Sequence, residues 1–189
     1  MANRSHLYAF DRFEAGMPLR PRGLHEWSGS IPISHLLMMS GKPRRYASLL
    51  SAHKVAIVAD YEPGVTRFLA FLHALEASQA LPAEFASDVR AAEQFLADDK
   101  AKGRFLLLEP VEIFAFSAKP DEEQCAKVVE KQIPALVAQV DEALGRPPAQ
   151  LFVKAPKWLA AIKKDWTTAD LGLGQWSSTL YYALDAEPA

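Results

Sequence analysis

Residues 55–75 pass without a break from one hydrophobic pattern to another, and this change restricts the possible folds most. The run Val55–Asp60 is almost continuously apolar, which is typical of a strand buried on both faces. Over residues 65–75 the apolar positions recur three or four apart, as on one face of an amphipathic helix. Pro63 suits the start of that helix, and we expect Glu62 to cap it. A chain that buries a strand and then a helix needs layers of both kinds.

Similar patterns elsewhere predict that strands and helices are mixed along the chain. The segments with strand character are residues 4–10, 55–60, 104–108, 111–116, 150–153 and 177–184. The segments with helical character are residues 32–39, 43–50, 63–75, 82–102, 121–144 and 156–166. Pro134 lacks a backbone donor, so we expect a kink or two abutting helices within the fifth of these.

We therefore predict an α+β protein, because the strands and helices do not alternate regularly. The terminal strands, 4–10 and 177–184, both combine Tyr and Leu with small residues. We expect both of them in one mixed or antiparallel sheet that is packed by several helices. The 189 residues, half of them hydrophobic, suit a single domain spanning 1–189.

Charge and cysteine content exclude several classes of protein. The formal net charge is −2, which argues against nucleic acid and against an anionic membrane surface as partners. The longest apolar runs are far shorter than the ~20 residues of a membrane-spanning helix, and no secretory segment is visible. The single cysteine, Cys125, excludes an internal disulfide framework and a cysteine-cluster zinc site. We expect a cytoplasmic protein.

No complete catalytic or cofactor motif occurs in the sequence. Residues 40–43 look like the end of a phosphate-binding loop, but Leu36 and Pro43 stand where that loop requires a glycine and a hydroxyl residue. Residues 172–174 lack the third glycine of a dinucleotide-binding loop, and no G-x-S-x-G nucleophile elbow is present. We therefore predict no catalytic residue, no metal ligand and no cofactor.

The charges are unevenly distributed along the chain. Residues 1–54 hold eight Lys and Arg against three Asp and Glu, whereas residues 55–150 hold nine against sixteen. The simpler interpretation is that two solvated faces of opposite charge attract each other within one domain. The alternative is a basic rim around a site for an anionic ligand or partner.

Residues 11–30 contain three glycines and two prolines with few apolar residues, and we predict an ordered surface loop there. Leu24 and Trp27 are expected to be buried and to anchor this loop. Arg20, Arg22 and His25 should be accessible, because an unpaired buried guanidinium costs more than the burial of one apolar side chain contributes.

This loop is the strongest candidate for a binding site. Arginine matches carboxylate or phosphate groups, tryptophan offers a stacking face, and adjacent His and Glu residues could act as an acid–base pair. The candidate binding residues of the loop are Arg20, Arg22, His25, Glu26 and Trp27. A second candidate is the end of the buried strand, where Asp60 and Glu62 could line a cleft. The alternative at both places is an ordinary solvated surface.

Three short pieces of the chain resemble an uncharacterised family of soluble bacterial proteins. They are the opening Asn-Arg-Ser-x-Leu-Tyr that begins at Asn3, residues 23–27 (GLHEW) and residues 60–64 (DYEPG). The resemblance covers the N-terminal third of the chain most clearly. It implies a soluble bacterial protein, and because the family has no assigned activity, it transfers no cofactor and no catalytic residue.

Two hypotheses for the function follow from these observations. The first is a non-enzymatic interaction or ligand-binding protein that uses loop 20–27 to hold an unknown protein or a small anionic ligand. The second is a small enzyme acting on an anionic substrate, with His25 and Glu26 as the acid–base pair. A concave pocket shared by these two residues, Asp60 and Glu62 would favour the enzyme, and a flat surface would favour partner binding. The oligomeric state is left open.

Overall fold

The computed structural model describes residues 3–79, 81, 83–160, 171–174 and 176–184. The strands among them are β1 (Arg4–Phe10), β2 (Phe13–Glu14), β3 (Met17–Pro18), β4 (Arg22–Ser28), β5 (Arg44–Ala47), β6 (Val55–Asp60) and β7 (Phe105–Glu109). The α-helices are α1 (Ile33–Met38), α2 (Tyr61–Ala77), α3 (Ala83–Ala97), α4 (Val111–Phe114), α5 (Asp121–Lys127) and α6 (Ile133–Leu144). A π-helical turn, Val128–Gln132, joins α5 to α6, and a 3₁₀ turn occupies Pro148–Gln150. No helix in these ranges is both long enough and apolar enough to cross a bilayer.

Five of these strands form one antiparallel sheet in the order β4-β1-β7-β6-β5, while β2 and β3 form a small separate hairpin. The predicted α+β class is confirmed, and the sheet is of the antiparallel kind. Strand β1 lies inside the sheet, between β4 and β7, so the predicted N-terminal strand belongs to the sheet.

The alternation of side chains along the strands gives the sheet two different faces. The helical face carries Leu7, Ile57 and Leu108, which pack in one large core with α1, α2, α3 and α6. The opposite side, called the second face from here on, carries Tyr8 and Val58 among other residues of a smaller core. The C-terminal segment (residues 176–184) crosses this second face and contributes Leu180 to the smaller core.

The prediction of an irregular loop at residues 11–30 is wrong, because this stretch forms two hairpin strands and β4. Ala15 and Gly16 turn the first hairpin with positive φ angles of 49° and 82°. Gly23 lies within β4, where a Cβ atom would come 2.6 Å from Leu180 and 2.8 Å from the carbonyl oxygen of Ser178. The glycines that suggested a loop are therefore required for a tight turn and for the close approach of the C-terminal segment.

The prediction of a strand at residues 177–184 is also wrong. Trp176 forms a single isolated bridge with His25, and Ser177 donates one hydrogen bond of 3.1 Å to the carbonyl oxygen of Leu24. Beyond that point Tyr181 uses its backbone N–H to bind the carboxylate of Glu26, so no ladder forms. The segment therefore begins beside the edge of β4 and then crosses the sheet without strand geometry.

Three shorter elements also differ from their predictions. Residues 44–47, predicted as helix, form β5 because they pair with β6 from Arg44↔Val58 to Ala47↔Val55. The strand predicted at 111–116 is replaced by α4, because Pro110 ends β7 and occupies the N-cap of this helix. The strand predicted at 150–153 is a turn.

The long helices agree with their predictions, apart from their ends. Helix α2 begins at Tyr61, so Asp60 and not Glu62 occupies its N-cap. In segment 121–144 the π-helical turn ends two residues before Pro134, which widens the helix where the proline lacks its donor. Residues 157–160 are helical, and the remainder of the helix predicted at 156–166 lies outside the described residues.

The contact between α1 and α2 leaves no room for a side chain at Gly64. A Cβ atom there would overlap the backbone carbonyl of Met38 at the end of α1. We predict that Gly64→Ala lowers the free energy of unfolding by roughly 1–3 kcal/mol or more, because the backbone of one helix must move. The measurement is the urea midpoint of the variant against that of the wild type.

Gly145→Ala is the matched control, since φ at Gly145 is −70° and the nearest atom to a Cβ there is 3.5 Å away. Its midpoint should stay within experimental error of the wild-type value. If the two variants were equally stable, the close approach of α1 and α2 would be wrong.

Candidate functional site

The pairing of β1 with β4 separates the two residues of the predicted acid–base pair. Glu26 lies opposite His6, and His25 lies opposite Leu7. Because successive strand residues point to opposite faces, His25 enters the helical face and Glu26 enters the second face. His25 is fully buried, so the prediction that its side chain is accessible is wrong.

Arg22 has a role in holding the fold together. Its Nε donates to the carbonyl oxygen of Lys100 at 3.1 Å, one Nη donates to Asp11 at 3.0 Å, and the other Nη donates to the carbonyl oxygen of Lys102. The guanidinium thus connects β4 to the turn that precedes β7. Arg20 is exposed, as predicted.

The two predicted anchors of this segment differ in burial. Leu24 is fully buried, as predicted, whereas Trp27 is only half-buried. A β-bulge in the β1–β4 ladder, between Leu7 and Tyr8, leaves Leu24 as an extra residue of β4. Both Leu24 and His25 therefore contribute to the helical side of the sheet.

Asp60 and Glu62 lie far from the β4 residues. Asp60 ends β6, three strands away from β4, and its carboxylate is 3.9 Å from Lys42 Nζ. Glu62 is exposed and lines a shallow depression of about 490 Å³, while Arg22 lines a different depression of similar volume. The candidate residues therefore do not converge on one pocket in the described part of the chain.

A buried chain of polar side chains lies on the helical face behind β4. Ser5 Oγ lies 3.0 Å from the carbonyl oxygen of Ser30 and 3.1 Å from His35 Nδ1. His35 Nε2 is 2.8 Å from His25 Nδ1, and His25 Nε2 is 2.6 Å from the carbonyl oxygen of Gly174. These links connect β1, α1, β4 and the loop that leads into the C-terminal segment.

The buried row of hydrogen-bonding side chains formed by Ser5, His35 and His25 has one proton too few for its links when all of its groups are neutral. Both ends are carbonyl oxygens, which only accept, so each of the four links needs one proton. Neutral Ser5, His25 and His35 supply three protons. Burial lowers the pKa of His25 to about 4 and that of His35 well below its usual value, because desolvation disfavours the imidazolium. At neutral pH the Ser5 hydroxyl therefore has one proton for two acceptors.

Aromatic rings flank His25. The ring of His25 stacks on Trp27 with centroids 5.8 Å apart, and its centroid lies 4.6 Å from that of Trp176. Trp176 in turn lies 5.9 Å from both Phe68 and Phe95 of the helical layer. The start of the C-terminal segment is thus anchored in the large core.

On the second face, Glu26 lies opposite His6 across the strand pair. Glu26 Oε2 is 3.7 Å from His6 Nε2, which is too long for a hydrogen bond. The side chain of His6 is only 1% exposed, yet neither of its nitrogens has a partner among the described residues. Burial lowers the pKa of His6, and the nearby carboxylates of Glu26 and Glu112 partly oppose this effect.

The C-terminal segment closes this histidine site from above. Tyr181 donates its backbone N–H to Glu26 at 2.9 Å, and Tyr182 donates its hydroxyl to Glu112 at 3.0 Å. The ring of Tyr182 meets His6 edge-on at 5.1 Å. Because these contacts cover His6, the pair of His6 and Glu26 could exchange a proton with a ligand only after the segment had moved.

Glu109, the other cross-strand neighbour of His6, holds the turn after β5. Its carboxylate accepts hydrogen bonds from Ser48 Oγ at 2.7 Å and from the Leu49 N–H at 2.6 Å. Burial raises the pKa of Glu109 to about 7, although both hydrogen bonds favour the ionised form. This residue therefore positions β5 from inside the sheet.

A second polar region, at the other end of the sheet, is open to solvent. Arg44 and Arg104 are exposed, and their guanidinium groups lie 5.6 and 5.3 Å from the ring centroid of Phe105. Arg44 also lies 5.9 Å from the ring of Phe13, which contacts Tyr46. These five residues define the cationic aromatic surface. Within the described ranges, neither arginine forms an ion pair.

Metal ligation has no support from this geometry. In the ranges that the structure describes, no three His, Cys, Asp or Glu residues are grouped so that they could hold an ion. The buried histidine chain ends on carbonyl groups and contains no carboxylate.

Sequence reasoning missed several of the polar residues described above. They are Ser5, His6, His35, Arg44, Glu109 and Glu112. A signal existed for two of them, because Ser5 and His6 are polar residues inside a predicted strand that is otherwise apolar. Arg44 and Glu112 lie in segments whose secondary structure was predicted differently. His35 lies in a predicted helix and Glu109 directly follows a predicted strand, and no local pattern marks either residue as buried.

Comparison with known families gives one match. A family model described as a domain of unknown function, DUF7822, matches residues 13–149. The matched range contains two of the three pieces that suggested an uncharacterised family, and the opening motif at Asn3 precedes it. No curated protein and no solved structure matches the chain.

The two buried acid–base sites should give opposite pH dependences of stability. Since the pKa of His25 falls from 6.5 to about 4 on folding, stability present above pH 6.5 is lost as the pH falls towards 4. Since the pKa of Glu109 rises from 4.5 to about 7, stability present below pH 4.5 is lost as the pH rises to 7. Each of these two contributions amounts to about 3 kcal/mol, so they oppose each other almost equally between pH 4.5 and 6.5. The lowered pKa values of His35 and His6 act in the same direction as that of His25, so the wild type should lose stability on acidification through this window.

Two variants separate these contributions in urea unfolding measured at closely spaced pH values. Glu109→Gln should lose stability on acidification from pH 6.5 to 4, since only the histidine contribution remains. His25→Gln/His35→Gln should shift the profile the other way, with stability falling as the pH rises from 4.5 to 7. Identical profiles for both variants would contradict the assignment.

Proposed function

The chain belongs to the DUF7822 family, a domain of unknown function, and we propose that it is a non-enzymatic interaction protein that binds an anionic partner. The proposed site is the cationic aromatic surface formed by Phe13, Arg44, Tyr46, Arg104 and Phe105. The observation that carries this proposal is the stacking of two exposed arginines on one half-buried aromatic ring, with no acidic partner for either among the described residues.

Stacking prepares these arginines for binding. A guanidinium above an aromatic ring gains roughly 0.5–1 kcal/mol at an exposed site and keeps its hydrogen-bonding edge free. Because the ring restricts the rotamers of Arg44 and Arg104 beforehand, a carboxylate or phosphate ligand has less side-chain entropy to overcome. The site thus combines positive charge with a fixed orientation.

The lysines that precede β5 and β6 in the sequence already have acidic partners. Lys42 lies 3.9 Å from Asp60, and Lys54 lies 2.9 Å from Asp121. Arg22 is bound to Asp11 and to two carbonyl groups, so it cannot provide the anion site that the sequence suggested. The anionic partner inferred from the uneven charge is kept, but its site moves from residues 20–27 to Arg44 and Arg104.

The test compares two double variants with equal loss of charge. Arg44→Gln/Arg104→Gln should weaken the binding of a fluorescein-labelled hexaglutamate peptide by about tenfold or more, measured by anisotropy at low and physiological salt. Lys131→Gln/Lys157→Gln is the control, because both lysines are exposed and form no ion pair within the described ranges. Its affinity should equal that of the wild type.

Two results would overturn this proposal. An equal loss in both double variants would show that only net charge matters. A wild-type protein that binds duplex DNA at physiological salt more tightly than the peptide would replace the proposed acidic partner with nucleic acid.

His6 favours a second candidate, a small enzyme in which His6 and Glu26 exchange protons with an anionic substrate held by Arg4. The specific observation is a buried imidazole that has no hydrogen-bond partner in the described part of the chain, lies 3.7 Å from a carboxylate and is covered by a segment without regular structure. Arg4 lies 3.6 Å from the same carboxylate. This candidate requires the C-terminal segment to open.

Opening is tested by chemical modification of the histidines. If the segment opens, diethyl pyrocarbonate should modify His6 at a rate between that of the exposed His53 and His73 and that of the fully buried His35. Mass spectrometry of digested protein gives the rate for each residue. If His6 reacted as slowly as His35, the enzymatic candidate would be excluded.

A further inference from the structure

The two edges of the sheet differ in the way they are covered. The edge of β4 is occupied by the start of the C-terminal segment, through the bridge to Trp176 and the hydrogen bond from Ser177. The edge of β5 forms no backbone hydrogen bond to any other described residue outside its ladder with β6. Arg44, Arg45 and Ala47 are all exposed. An open edge of this kind can pair with a further strand.

The ladder shows which groups of β5 point outward. The Ser48 N–H donates a 3.0 Å hydrogen bond to the carbonyl oxygen of Lys54, directly after the pair Ala47↔Val55. Inward and outward bonding alternate along an antiparallel strand. Arg45 and Ala47 therefore direct their N–H and C=O groups away from the sheet, where an added strand would meet them.

We infer, building on the proposed function, that the anionic partner is an extended acidic peptide segment that pairs antiparallel with β5. Arg44 lies over Phe13 and Phe105 on the second face, and Arg45, opposite Ile57, belongs to the helical face. Two consecutive acidic residues of the peptide would therefore lie opposite one arginine each, on opposite faces of the extended sheet. Because the Arg44 guanidinium lies inward over Phe105 of β7, the residue opposite Arg44 needs the longer side chain of glutamate to reach it.

The neighbouring position adds an apolar preference. Tyr46 lies on the second face, with its ring 5.6 Å from that of Phe13. A peptide residue opposite Tyr46 would rest beside these rings, so an aromatic residue fits there. Read along the peptide in the antiparallel direction, the recognised core is one unrestricted residue, one aromatic residue and two acidic residues.

A second copy of this chain is a poor occupant of the same edge. Self-pairing of β5 would bring four arginines from Arg44 and Arg45 into one short two-stranded ladder. Like charges so close together destabilise a strand pair, and cationic edge residues are a common means of preventing such association. The charge of the edge therefore selects an acidic segment.

The test uses an eight-residue peptide with this core and two N-methylated forms of it. N-methylation opposite Arg45 and Ala47 removes the N–H groups that would bond to β5, and it should weaken binding by about tenfold or more. N-methylation opposite Arg44 and Tyr46 alters N–H groups that point away, and the affinity should stay unchanged. All three peptides carry the same charge, and each affinity is measured with the wild-type protein.

Ala47→Pro provides the reciprocal test on the protein. Its outward N–H takes no part in the ladder with β6, so proline is compatible with the edge but cannot donate to the peptide. Binding should fall by about tenfold relative to Ala47→Val, which keeps the donor. Circular dichroism checks that both variants fold. If Ala47→Pro does not fold, the N-methylated peptides alone test the addition of a strand to β5.

The outcomes separate this inference from the proposed function. Equal binding of all three peptides, with loss only in Arg44→Gln/Arg104→Gln, would overturn strand addition and leave the anion site standing. Failure of the wild type to bind any acidic peptide would overturn both. Selective loss with the first N-methylated peptide supports strand addition.

Discussion

The register in which β4 pairs with β1 is the constraint on which both buried polar clusters depend. With Leu7 opposite His25 and His6 opposite Glu26, one histidine enters the helical layer and the other lies beside a carboxylate on the second face. A slip of one residue would reverse the direction of every side chain in β4. It would bring Glu26 into the large core without a partner, which is far more costly than the neutral imidazole that lies there now.

The polar groups on the two faces of the sheet hold different parts of the molecule together. On the helical face the linked histidines are buried and neutral, and His25 lies between two tryptophan rings, so their role is to connect α1, β4 and the loop at Gly174. On the second face the carboxylates of Glu26 and Glu112 hold the C-terminal segment through its own donors. That segment covers His6 and the β4 edge, whereas no strand within the described ranges pairs with the outer edge of β5.

The parts of the fold that could be predicted are those in which local pattern and burial agree. Such agreement holds for the apolar stripes of α2, α3 and segment 121–144 and for the continuous apolar run of β6. In each of these elements the spacing of apolar residues identifies the buried face without knowledge of what packs against it. Residues 44–47 show no such pattern, because β5 is an edge strand with both arginines exposed and gains its structure from pairing with β6. Residues 177–184 were predicted as a strand and do not form one. Their alternating residues are compatible with a strand, but the N–H of Tyr181 binds a side chain instead of a neighbouring strand.

The sequence by itself determined the layers, because the spacing of apolar residues dictates which faces must be buried. It also determined which residues can bear charge, and the excess of basic residues within 1–54 includes Arg44 of the proposed site. Only the tertiary structure decided which polar residues are accessible. His25 and Arg22 belong to a stretch with the composition of a loop, yet pairing with β1 buries the first and backbone carbonyls near β7 bind the second. The physical reason is that burial of a strand residue depends on partners far away in the chain, whose positions no local pattern specifies.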